Sequence, residues 1–166
     1  QIKKEIVTLN ESNSVSLLSQ YTGLHKEHEE LYHETARYYG LSDCAMWILS
    51  VIWESNTPYT QSEICEKLFQ SRQTIHSALK KLTEAGFLKL KFAYDNRKSK
   101  QIFLTEQGTA FAKKSVDRVI RAEQNAFSIL SEQEQNTFVT LFHKYVQQLK
   151  TEMDAIQKND SLEPGG

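Results

Sequence analysis

Glycine and proline are scarce, at six and two in 166 residues. Turns are therefore few, and long helices are expected over a many-stranded sheet. Two cysteines, Cys44 and Cys65, are too few for a disulfide framework. No long apolar run is present; the stretch 45–53 is interrupted by Ser50 and too short to cross a bilayer. The first residues lack the basic, apolar, small-residue order of a secretory signal, so a cytoplasmic protein with no membrane partner is expected. There is no glycine-rich phosphate loop, nucleophile elbow or clustered metal-ligand motif. No enzyme, cofactor or metal is expected. Without repeats or a long linker, residues 1–166 read as a single domain.

What the chain does have is segregated charge. The formal net charge is −1, yet residues 67–100 hold nine Lys or Arg against two carboxylates, Glu84 and Asp95. That segment is +7 and the remainder −8. Such separation in a near-neutral chain points to a polyanion site, and nucleic acid is the natural one.

Residues 1–14 are polar and unpatterned and read as a loose arm. Leu17, Tyr21, Leu24, Leu31, Thr35 and Tyr38 recur at helical spacing up to Gly40. Ser42 or Asp43 caps a second helix with Met46, Trp47, Leu49, Val51, Ile52 and Trp53. Thr60 and Glu63 form a capping box for a short helix. The turn Phe69-Gln70 leads to Ser71, an N-cap for a helix with Ile75, Ala78, Leu79, Leu82 and Ala85 on one stripe. After Gly86 the period drops to two. Leu88, Leu90, Phe92 and Tyr94 are expected inward on one strand, and Ile102 and Leu104 on a second. Thr105 opens a helix expected to run through Leu130, and a second capping box at 131–134 opens the last one. Phe138, Leu141, Phe142, Tyr145, Leu149, Met153 and Ile156 give that helix a heptad-like seam. Residues 157–166 read as a frayed tail.

Helix, tight turn, helix and hairpin over 60–104 make a winged helix-turn-helix, whose second helix enters the major groove. The face of that helix opposite its apolar stripe carries Arg72, Gln73, Thr74, His76, Ser77, Lys80 and Lys81. Arg holds guanine O6 and N7 in a fork, Gln does the same for adenine N6 and N7, and Ser, Thr and Lys suit phosphates. The hairpin tip, with Asp95, Arg97, Lys98 and Lys100, suits a minor groove, and Asp95 can brace the turn.

The segments SRQTIHSALKKLTEAGFL (71–88) and DNRKSKQIFLTEQG (95–108) resemble the recognition helix and wing of the MarR family of regulators. The resemblance implies a mainly α fold: a winged helix-turn-helix with a two-stranded wing hairpin and long N- and C-terminal dimerisation helices. It implies a homodimer on a pseudo-palindromic double-stranded DNA operator, probed by Ser71, Arg72, Gln73, Thr74, His76 and Ser77. Asp95 and Arg97 fall on the family's wing acid–arginine pair. It further implies a small aromatic or amphipathic effector between the dimer helices and the binding lobe, where Trp47, Trp53, Tyr21, Tyr38 and Tyr39 are candidates. The expected organisation is a lobe over 41–104 with dimerisation helices over 17–39 and 106–156. The expected function is a sequence-specific transcriptional regulator, acting as a repressor.

Two alternatives use other residues. His25, His28 and Glu29, with His33 nearby, carry metal-ligand chemistry on the first helix, which would suit a metal-responsive regulator. A winged-helix protein–protein module is the other, against which the +7 segment argues. Cys44 opens the second helix, where a helix N-terminus can lower a thiol pKa, but inert packing is the expected role, and Cys65 reads as core.

Overall fold

The computed structural model describes residues 2–92 and 99–160, with side chains described for 13–92 and 99–158. The elements in order are α1 (Ile2–Tyr38), α2 (Asp43–Trp53), β1 (Tyr59–Thr60), α3 (Gln61–Leu68), α4 (Arg72–Glu84), β2 (Leu88–Phe92), β3 (Lys100–Leu104), α5 (Glu106–Lys114), α6 (Val116–Phe127) and α7 (Glu132–Asp160). The fold is a mainly helical winged helix. Its elements fall into two compact units, Gln1–Val119 and Ile120–Gly166.

Side-chain caps set the helix starts in the first unit. Ser42 accepts from the Ala45 N–H at 3.2 Å. At α3 the Glu63 N–H donates to the Thr60 hydroxyl at 3.4 Å, while the Thr60 N–H donates to the Glu63 carboxylate at 2.6 Å. These bonds hold the Glu63 carboxyl below its ordinary range, the Thr60 N–H contributing most. Ser71 accepts from the Thr74 N–H at 3.1 Å. The capped helices share one core, where Met46, Ile48, Leu49 and Ile52 of α2 meet Ile64 of α3 and Ile75, Leu79 and Leu82 of α4. Leu88, Ile102, Ala112 and Val116 close it from the strands, α5 and α6.

The sheet is antiparallel in the order β1-β3-β2, with Leu88 opposite Leu104, Leu90 opposite Ile102 and Tyr59 also opposite Ile102. β1 was not expected, because two residues show no alternation. Burial along β2 also departs from expectation. Leu88 is buried, but Leu90 and Phe92 are 37% and 55% exposed, because β2 leaves the core after its first residue. Tyr94 lies outside the described residues.

Three helix boundaries differ from the sequence reading. α1 already runs through the segment read as a loose arm, starting at Ile2. With no Gly or Pro before Gly23, a helix nucleated downstream extends through polar residues, since propagation is far easier than nucleation. The expected helix over 105–130 breaks at Ser115, which has φ −117° and ψ −88°. The Ser115 hydroxyl donates to the Phe111 carbonyl at 2.7 Å, a back-bond that bends helices. At the other end, α7 continues to Asp160, past the start of the expected tail.

A close approach joins the wing root to α5. Gly86, at φ +77°, turns the chain out of α4. The Thr105 N–H donates to the Phe87 carbonyl at 3.0 Å and the Thr105 hydroxyl to the Gly86 carbonyl at 2.6 Å. The same hydroxyl caps α5 by accepting from the Gly108 N–H at 2.9 Å. A Cβ on Gly108 would lie 1.9 Å from the Phe87 carbonyl oxygen, so only glycine fits. Phe87 and Phe111 stack beside it at 4.2 Å. Gly108→Ala is expected to destabilise the protein by about 3 kcal/mol, as overpacking against backbone does. Urea unfolding checks this, with Gly23→Ala, a helix-interior site where a Cβ meets nothing within 4 Å, as the control expected to hold or slightly raise stability.

Candidate nucleic-acid interface

α4 divides its surface cleanly. Ile75, Ala78, Leu79 and Leu82 are buried, while Arg72, Gln73, Thr74, His76, Ser77, Lys80 and Lys81 are all exposed. The polar residues expected to share a face therefore do. Ser71 and Thr74 have a local task as well, since their hydroxyls are 2.8 Å apart within the helix cap. The first turn of α4 carries no acid, so the positive end of the helix is unopposed. The sole carboxylate of the helix, Glu84, sits 3.8 Å from Lys80 at the far end.

α3 adds a residue that the sequence reading missed. The Gln61 side-chain amide donates to the Arg72 carbonyl at 3.2 Å, tying the start of α3 to the start of α4. Gln61, His76, Lys80 and Leu90 also line a groove of about 250 Å³ between α3, α4 and β2. No one-dimensional pattern reveals Gln61, because its partner lies eleven residues away. On the wing, Lys100 is exposed, with its ammonium 5.3 Å from the centre of the Phe92 ring. Asp95, Arg97 and Lys98 lie outside the described residues.

A second feature lies between α1, α2 and the turn after α3, a cleft of about 880 Å³. His25, His28, His33, Asp43, Trp47 and Gln70 are among its lining residues. The Tyr32 ring packs, tilted, at 4.8 Å from both Trp47 and His28, giving the cleft an aromatic wall. His33 Nδ1 lies 3.0 and 3.2 Å from the two Asp43 oxygens, linking α1 to α2. His25 pairs with Glu29 at 3.5 Å, and among the described residues no three His, Cys, Asp or Glu side chains are grouped to hold a metal.

The five aromatics considered for an effector pocket are not brought together. Trp47 lines the cleft, but the Trp53 indole N–H donates to Asp117 at 3.2 Å, and Tyr38 packs edge-on against Tyr39. Tyr21 stacks on His25 one turn along α1.

The fold and this site define a class, the winged helix-turn-helix proteins. Residues 39–99 match the model of the MarR family. No curated protein matches the sequence. The fold is similar to that of MepR from S. aureus in its DNA complex, with 17% identity and a TM-score of 0.66 over 80% of this chain and 97% of that one. It is also similar to a MarR family regulator from Neisseria meningitidis, at 18% identity and TM-score 0.67, covering 86% and 98%. The transcriptional regulator SlyA matches at 21% identity and TM-score 0.64, covering 84% and 98%. No described helix is long and apolar enough to cross a membrane.

Cys44 sits at the start of α2. Burial, more than the helix N-terminus, governs its thiol and pushes the pKa up, with Cys65 and Asp43 adding to the shift. In a Cys65→Ser variant, Cys44 is expected to react with a disulfide reagent at pH 7 at least several-fold more slowly than a small free thiol. The rate should gain on the free thiol only above the usual thiol range. A faster reaction at pH 7 would refute the raised pKa.

Proposed function

We propose that the chain is a sequence-specific DNA-binding transcriptional regulator, a repressor that works as a homodimer on a pseudo-palindromic duplex. The observation that carries this reading is the exposed face of α4, which presents Arg72, Gln73, His76, Ser77, Lys80 and Lys81 with no carboxylate before Glu84. Arg72, Gln73, Thr74 and His76 read base edges, while Ser71, Ser77 and Lys80 position the helix on phosphates. Asp95, Arg97, Lys98 and Lys100 belong to the wing and its minor-groove contact. The binding lobe spans 41–104, and the dimerisation helices span 17–39 and 106–156.

Uncovered apolar residues support the dimer. On α1, Leu17, Leu24, Leu31 and Tyr38 recur every seven residues and are all exposed. On α7, Phe138, Leu141, Phe142, Leu149, Met153 and Ile156 are exposed as well. Seams of this length call for a partner, and a second copy is the simplest one. The α1–α2 cleft, with its Tyr32–Trp47 wall, is the site we assign to a small aromatic or amphipathic effector. Such a ligand shifts DNA binding only by fitting one arrangement of the lobes better than another.

Fluorescence anisotropy on the duplex upstream of the protein's own gene, against a scrambled duplex and across a salt series, tests the reading. Tight binding to the first alone, weakening steeply with salt, is expected. Arg72→Ala should cost about tenfold or more on that duplex and narrow the gap to the scrambled one. Lys80→Ala should weaken both duplexes alike and lower the salt slope by about one. Equal binding of both duplexes by the native protein would overturn the proposal.

Phe142→Glu places a charge at an exposed position of α7, where a lone chain tolerates it and a dimer seam does not. Sedimentation is expected to show monomers for this variant and dimers for the native chain. Unchanged dimers would remove α7 from the interface.

A further inference from the structure

We infer that Phe69, in the turn of the helix-turn-helix, is an apolar base-reading residue that packs on the 5-methyl group of a thymine at the edge of the major groove. The inference rests on the DNA-binding reading above and adds a contact of a different chemistry to it. Phe69 is 94% exposed, more than any other large apolar side chain among those described. It is also the one described non-glycine residue with positive φ, at φ 52° and ψ 37°. Glycine or asparagine ordinarily ends a helix in that conformation, and a bulky side chain there is an outlier. The lone chain thus bears both backbone strain and an aromatic ring in water, and recovers neither through its own packing. Strain held at such a position points to a task in binding.

The backbone of the turn is fixed. The Phe69 N–H donates to the Glu66 carbonyl at 3.4 Å and the Gln70 N–H to the Cys65 carbonyl at 3.2 Å. Ser71 caps α4 directly afterwards, and Gln61 grips the Arg72 carbonyl. Phe69 therefore stands a fixed three residues before Arg72. Its surroundings select the occupant. From Glu66 through Thr83 there are four cations, Lys67, Arg72, Lys80 and Lys81, against one carboxylate, Glu66. A polyanion is favoured there over an apolar protein face. Within a duplex, the apolar group that the major groove offers to a phenyl ring is the thymine methyl.

The test uses the full-length protein and a duplex that it selects from a random pool, with each thymine replaced in turn by uracil. At one thymine in each half-site, uracil is expected to cost the native protein about fourfold, the worth of one buried methyl group. Phe69→Gly should bind the thymine duplex as weakly as the native protein binds the uracil one, and be indifferent to the exchange. Phe69→Asn should behave the same way, which separates loss of the ring from loosening of the turn. Both variants should melt at or above the native temperature, since both residues suit the left-handed turn. Native affinity of Phe69→Gly for the thymine duplex, or uracil effects equal in both proteins, would overturn the inference. So would a melting temperature several degrees lower, which would make the ring structural. If Arg72→Ala loses affinity while Phe69→Gly does not, the inference fails and the DNA-binding reading stands. If the native protein selects no sequence from the pool, the reading itself fails.

Discussion

The close approach of Gly108 to the Phe87 carbonyl sets the frame on which the candidate interface depends. Phe87 follows the turn out of α4 and leads into β2, while Thr105 connects β3 to α5 and Gly108 lies in the first turn of α5. The Phe87 carbonyl accepts from the Thr105 N–H, and a side chain at position 108 would occupy the same space. Four elements, α4, β2, β3 and α5, are thus held at one point. An error of an ångström there would change the angle between α4 and the strands of the wing. Any surface that uses both together needs this junction to be rigid.

α4 meets two demands with one helix. Its apolar stripe gives Ile75, Leu79 and Leu82 to the core, each contributing about 2 kcal/mol by area as an upper estimate. Its other face stays solvated, so its cations and amides incur no burial cost. Anchoring and recognition chemistry therefore do not compete within the helix. The Ser71 cap and the Gln61 link then fix the end where the first exposed donors stand.

Much of this was legible in the sequence, because it rests on short-range chemistry. The capping boxes at 60–63 and 131–134 are found as read, each with its reciprocal bonds. The α4 stripe is buried at Ile75, Ala78, Leu79 and Leu82 as its period predicts, although Ala85 is exposed as the helix ends. What failed was longer-range or lacked period. The Ser115 break depends on a hydroxyl choosing a backbone acceptor inside an otherwise unbroken helical pattern. The length of α1 depends on helix propagation through residues with no amphipathic signal. Alternation in β2 gave the parity of the strand but not where the core ends. The five aromatics were grouped by resemblance alone, and tertiary packing sends Trp53 to Asp117 and leaves Trp47 in the cleft. Gln61 was invisible for the same reason.

Two kinds of uncovered surface remain, and they call for different partners. The cationic face of α4 suits a polyanion, whereas the stripes on α1 and α7 suit another apolar surface. The cleft lies where α1 meets the lobe. One wall comes from His25, His28 and His33 of α1, and another from Leu68 and Gln70, on either side of Phe69 at the entrance to α4. The His33–Asp43 pair spans the same junction. A molecule in the cleft would touch both the helix that carries the seven-residue stripe and the turn that sets α4. On the proposed reading, effector binding and DNA binding meet through a few shared side chains, with no need for a long relay. Their coupling is bounded by how differently the cleft fits the ligand in the two arrangements, and it acts equally in both directions.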